Sequence, residues 1–145
     1  MYVIAAVGCG VPIPDMPGYV GERDGIEYYM EPSVDLTIDQ AHLLVKTAVN
    51  AWGADASSTK GLKIGVYSSY IQCSGGPHTG CYWRTSQIDI IQLMYIPRCP
   101  YHFPIGHELW HYLYVRDREP TMAEYAQIAK VDEEVYKLLP ESCYR

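Results

Sequence analysis

The sequence predicts an α+β fold, a small twisted mixed sheet with three main helices. Two observations carry that expectation. Short segments rich in β-forming residues surround one stretch of helical apolar spacing, and the last third of the chain is helical. The length, 145 residues, suits a single domain that buries roughly two-thirds of the surface its unfolded chain exposes. With 48% apolar and 19% charged residues, the chain has the composition of a packed core, not of a disordered segment.

The elements follow in order. Residues 1–25 read as a signal remnant and tether, because Val11-Pro12-Ile13-Pro14-Asp15-Met16-Pro17-Gly18 has the composition of an extended linker. The folded domain is assigned to residues 26–145. Ile26–Met30 reads as the first strand. Thr37 and Gln40 form a capping box, after which Ile38, Ala41, Val45, Ala48, Val49 and Trp52 recur at helical spacing until Gly53. Leu62–Tyr67 is a second strand, Tyr82–Arg84 a short one, and Ile88–Ile96 a further one that Pro97 and Pro100 stop. A helix opens at Pro104 and is expected to run to Val115 or Asp117. A last helix runs from Pro120-Thr121 to about Leu139, before Pro140.

The charge balance, eleven Lys and Arg against seventeen Asp and Glu for a net −6, lacks the positive patch of a nucleic-acid binder. No apolar run reaches the length of a membrane span. The five cysteines include no CxxC pair, so they do not form a zinc ribbon. Cys73 and Cys81 bracket the turn-rich Ser74–Gly80 loop and are expected to pair, leaving Cys99 to pair with Cys143. Other pairings of these four stay open. Cys9 is left over, and Ala6-Val7-Gly8-Cys9 resembles a bacterial lipobox, although no basic region precedes it. The expectation is an extracytoplasmic protein, secreted or held at a membrane by a lipid anchor at Cys9, and monomeric.

The chemistry concentrates in Gly106-His107-Glu108-Leu109-Trp110-His111. Two histidines four residues apart on a helix share one face and can reach one metal ion. Neutral imidazole suits Zn²⁺, which in catalytic sites takes three protein ligands and keeps a position for water. Glu108 lies about 100° round the helix, beside the ion, where a carboxylate can take a proton from metal-bound water. Composition alone would produce such a motif in only about 1% of chains of this length.

His107-Glu108-x-x-His111 resembles the active-site helix of the zincin metallopeptidases. The strand, long helix and strands that precede it are similar to the N-terminal subdomain of small secreted zincins. The resemblance covers most of residues 26–139 as architecture, and only the motif is specific. It implies His107 and His111 as ligands of one zinc ion, and Glu108 as general base and acid for hydrolysing a peptide bond in a protein or peptide substrate.

The third ligand divides the zincin families. A metzincin pattern puts Tyr114 where a glycine belongs and Asp117 where a ligand belongs; a helix that continued would carry Asp117 about 15 Å along its axis and away. Met122 then reads as a core residue, not a Met-turn. A gluzincin pattern takes a glutamate from the following helix. There the apolar stripe Ile128, Val131, Val135 and Leu138, extended back one turn, lands on Glu124, the preferred third ligand. Glu124 can equally close a capping box with Thr121, and Glu119, Glu133 and Glu134 are the remaining alternatives. The nearest tyrosines for stabilising a developing oxyanion are Tyr112, Tyr114 and Tyr125. His102 reads as a loop residue or supporting donor, and His42 and His78 as surface residues. The strand Ile88–Ile96 is expected to be an edge that an extended substrate could join. The competing readings are a cytosolic regulatory peptidase and a domain of this fold that has lost catalysis and only binds.

Overall fold

The computed structural model describes residues 14–85, 87–96 and 103–139. The chain is α+β: a mixed five-stranded sheet and a two-stranded hairpin with three helices. The strands are β1 (Tyr19–Arg23), β2 (Ile26–Met30), β3 (Lys63–Tyr67), β4 (Ile71–Cys73), β5 (Gly76–His78), β6 (Gly80–Arg84) and β7 (Asp89–Met94). The helices are α1 (Ile38–Ala51), α2 (Ile105–Leu113) and α3 (Met122–Tyr136).

The sheet runs in the order β1-β2-β3-β7-β6. Its three central strands are parallel, and β1 and β6 join antiparallel at the two edges. Parallel strands need a crossover, and α1 supplies it between β2 and β3. Ile64 and Val66 from β3, and Ile91 and Leu93 from β7, are fully buried, as strands covered on both faces require. Against them pack Ala41, Val45 and Ala48 of α1 and Ile105 and Leu109 of α2.

The capping box of α1 forms as expected: Thr37 accepts from the Gln40 backbone, and Gln40 accepts from the Thr37 backbone. Two boundaries differ. The strand β1 lies within the stretch assigned to the tether; its largely exposed side chains carry no alternation that would reveal an edge strand. The strand at Ile88–Ile96 is not an edge. It pairs with β3 on one side and β6 on the other, so β6 is the edge.

His42 is not a surface residue. Its Nδ1 lies 2.8 Å from the Tyr28 hydroxyl and its Nε2 2.7 Å from Asp24 Oδ2, which ties α1 to β2 and to the β1–β2 turn. Met122, expected in the core, is exposed at the start of α3. Cys73 and Cys81 stand at disulfide distance, with Cα atoms 6.2 Å apart. Cys9, Cys99, Cys143 and His102 lie outside the described residues, and with them the Cys99–Cys143 pairing and the anchor site. No helix among the described residues is long and apolar enough to cross a membrane.

Candidate metal centre

The centre is built on α2, which is buried from Ile105 to Tyr112. Both ends of the helix are tied down by other elements. At its start, Asp132 of α3 accepts a hydrogen bond from the Gly106 amide at 2.8 Å, so a carboxylate sits at the positive end of the helix dipole. Only glycine fits there, because a Cβ on residue 106 would stand 2.5 Å from Asp132 Oδ1. The Trp52 indole, just past α1, donates to the Gly106 carbonyl at 3.0 Å. At the other end, the Tyr114 hydroxyl donates to the Trp52 carbonyl at 3.1 Å.

The helix stops at Leu113 without a glycine. Amides of Tyr114 and Val115 both donate to the Trp110 carbonyl, at 3.0 and 3.2 Å, which closes the last turn and sends the chain back. The Val115 carbonyl then accepts from His111 Nδ1 at 2.9 Å. A carbonyl can only accept, so the proton is on Nδ1 and the Nε2 lone pair of His111 is left for a ligand.

His107 Nε2 faces His111 Nε2 at 3.1 Å. The returning loop places Glu119 Oε2 3.9 Å from His107 Nε2. Among the described residues, His107, His111 and Glu119 form the group of ligand atoms that fits one metal ion, all within 4.8 Å of one another. Nitrogens about 2.0–2.1 Å from one tetrahedral zinc ion stand about 3.4 Å apart, so the spacing suits a shared ion. Pro120 follows Glu119 and is buried; a residue before proline is held extended, which keeps Glu119 out of a helix.

The third carboxylate therefore differs from the preferred one. Glu124 closes the capping box with Thr121, accepting from its amide at 2.9 Å. It also takes both guanidinium nitrogens of Arg118, at 2.7 and 3.0 Å. Arg118 first, and then the Thr121 amide, hold the Glu124 carboxyl down at about 2. The apolar stripe gives the right face for Ile128, Val131 and Val135, but the first turn of α3 is spent on its own cap. Asp117, Glu133 and Glu134 are exposed, and Glu134 pairs with Lys137. Sequence spacing alone could not select Glu119, because its approach depends on where the glycine-free helix stops.

The electrostatics suit a cation. His107, Glu108 and His111 are only 2%, 1% and 1% exposed. Burial, and then His111, push the His107 imidazole down to about 3, and burial lowers His111 too. Both rings are thus neutral, the form that binds metal. Burial, followed by the charges of Glu119 and Asp132, pushes the Glu108 carboxyl well above its ordinary range. Burial likewise raises Glu119, and raises Asp132 to about 7. Neither carboxyl oxygen of Glu108 has a hydrogen-bond partner. Two neutral buried imidazoles and the more exposed Glu119 carboxyl are a donor set that could hold a divalent ion, with Glu108 beside it.

Tyr125 completes this side. Its hydroxyl donates to Glu119 Oε2 at 3.3 Å, and its ring lies 5.6 Å from that of His107. The other two candidate tyrosines are engaged elsewhere, Tyr112 with the Ser58 carbonyl and Tyr114 with Trp52. A neighbouring cavity of about 570 Å³ is lined by Trp52, Trp110, Tyr114 and Lys130 among others, and by none of the three metal-group residues. Comparison with protein-family models, with curated proteins and with solved structures returned no match.

Proposed function

We propose that the chain is a metal-dependent hydrolase, and within that class a zinc peptidase of the zincin type. The observation that carries this is the pair of imidazole nitrogens 3.1 Å apart, with Glu119 beside them and Glu108 one residue along the same helix. His107, His111 and Glu119 would hold the ion, which when bound supplies a Lewis acid and a water of lowered pKa. Glu108 is the proton carrier: it is buried, has no other hydrogen bond, and is positioned by a helix fixed at both ends. Tyr125 orients Glu119 and offers a hydroxyl to a developing oxyanion. The edge strand for an extended substrate is β6.

Two measurements test this reading. Metal analysis of the purified protein is expected to find one zinc per chain. Cleavage of a diverse peptide library is expected for the wild type and is lost in Glu108→Gln. Bound metal with no Glu108-dependent cleavage would support the second reading, a domain that binds and does not hydrolyse. The near-complete burial of His107, Glu108 and His111 is the observation that favours it. An extracytoplasmic location is also proposed, from the Cys73–Cys81 pair. Thiol titration of the unreduced protein that found all five cysteines free would refute it.

A further inference from the structure

We propose that the cavity between the end of α1, α2 and α3 binds a small carboxylate with a compact aromatic body. Its support is independent of the metal-hydrolase reading. The cavity measures about 570 Å³, within the range of small-molecule sites. Trp52, Trp110 and Tyr114 supply its aromatic walls, and Glu124, Gln127 and Lys130 its polar groups.

A substrate meeting Glu108 would lie elsewhere. Trp110 follows Glu108 by two residues, about 200° round α2, and no member of the metal group lines the cavity. The β6 edge belongs to the Glu108 side, where a Cβ on Gly80 would stand 2.9 Å from the carboxyl.

The aromatic walls are held in place by the fold. The Trp52 indole donates to the Gly106 carbonyl at 3.0 Å, and the Tyr114 hydroxyl to the Trp52 carbonyl at 3.1 Å. These two rings meet edge to face, with centroids 5.4 Å apart. Their polar hydrogens are thereby used, and what they offer the cavity is apolar surface. Trp110 is only 3% exposed, whereas Tyr114 and Lys130 are exposed. The aromatic end is therefore deep, and the cation stands at the mouth.

The charges select the sign of the ligand. Glu124, Gln127 and Lys130 recur every three residues along α3 and share the face turned to the cavity. Glu124 is neutralised, because Arg118 takes both of its oxygens and the Thr121 amide one of them. Lys130 has no ion pair or hydrogen bond among the described residues, and Glu134, one turn further on, is taken by Lys137. The Lys130 ammonium is thus the uncompensated charge of the cavity, and an anion is its complement. A carboxylate accepts from Lys130 and from the Gln127 amide while its apolar body lies against the rings.

The test titrates phenylpropionate into the chelator-treated full chain by calorimetry, beside phenylpropionamide and phenylpropylamine. Chelation keeps the carboxylate from a metal ion. One site per chain is expected, with the carboxylate bound about threefold to tenfold more tightly than the amide, and the amine weakest. Lys130→Ala, at an exposed position, is expected to bind carboxylate and amide alike, and Lys130→Glu to favour the amine. Trp52 and Trp110 are two of the chain's three tryptophans, so saturation is expected to change the intrinsic fluorescence. An unchanged spectrum at saturation places the ligand elsewhere and overturns the assignment. Absence of saturable phenylpropionate binding overturns it too, as does a carboxylate preference that survives Lys130→Ala. A wild type that binds the amide or the amine at least as tightly shows that the ligand class is wrong.

Discussion

Arg118 grips both oxygens of Glu124, stands 5.5 Å over the Trp110 ring, and donates to the backbone carbonyl of Glu119. One side chain thus joins α2, α3 and the loop between them, and Glu124 sets the loop without entering the metal group. This separates two glutamates that sequence cannot rank. Glu119→Gln is expected to weaken zinc binding by about a hundredfold or more, beyond what loss of a supporting hydrogen bond does. Glu124→Gln, which can still close the capping box as Gln40 does in α1, is expected to keep zinc within about tenfold of wild type while lowering stability slightly through the lost charge opposite Arg118. Chelator competition and urea unfolding measure the two effects, and a reversed ranking of zinc affinities would sink the Glu119 assignment. Gly80 offers a second test at this scale. A methyl there meets Pro104 Cγ at 2.7 Å as well as the Glu108 carboxyl, so Gly80→Ala is expected to lose about 1–3 kcal/mol by overpacking. A neutral effect in chemical denaturation would mean that β6 and α2 are not in this contact.

Between elements, the decisive contact is α3 on the start of α2 through Asp132. Its carboxyl is raised from 3.8 to about 7 by burial, with the Gly106 amide opposing. A carboxyl raised in the folded state contributes stability that is present below its unfolded value and lost as pH climbs to about 7. Asp132→Asn keeps an oxygen for Gly106 and cannot ionise. Its stability relative to wild type is therefore expected to improve as pH rises from about 4 to 7.5, by at most about 4 kcal/mol. Urea midpoints at the two pH values give the answer, and a pH-independent difference would show that Asp132 is not desolvated. The elements also show where sequence reading stops. Helical spacing and the Thr37–Gln40 box were enough to place α1, and His107-x-x-x-His111 to place the two imidazoles on one face, because both depend on local geometry. The interior position of β7, the edge strand β1 and the arrival of Glu119 depend on pairing and loop closure across the fold. Local pattern carries no record of those. His42 belongs with these: a lone polar residue on a helix looks exposed until its partners, Tyr28 and Asp24, come from another layer.

At the scale of the whole molecule, the centre gathers groups whose ionisation states pull stability in opposite directions. The lowered histidines bind fewer protons folded than unfolded, so their contribution falls as pH drops from about 6.5 toward 3. The raised carboxyls do the reverse, losing stability as pH rises above their unfolded values. In the metal-free chain these slopes offset each other, and a shallow pH profile is expected across about pH 4 to 6.5. A bound divalent ion changes the balance, because it needs deprotonated ligands and neutralises the repulsion among Glu108, Glu119 and Asp132. Zinc at a hundred times its dissociation constant adds about 2.7 kcal/mol, or roughly 5–10 °C in melting temperature for a domain of this size. That gap between zinc-loaded and chelator-treated protein is expected to be small near pH 5 and to widen toward pH 7.5. Asp132, raised to about 7, takes on its charge over this interval, and the raised Glu119 carboxyl must be ionised to serve a cation. Thermal melts at both pH values, with and without chelator, resolve it. A gap that stays at zero at pH 7.5 would mean that no cation holds these charges together, and the buried acidic cluster around α2 would then need another counter-charge to exist at neutral pH.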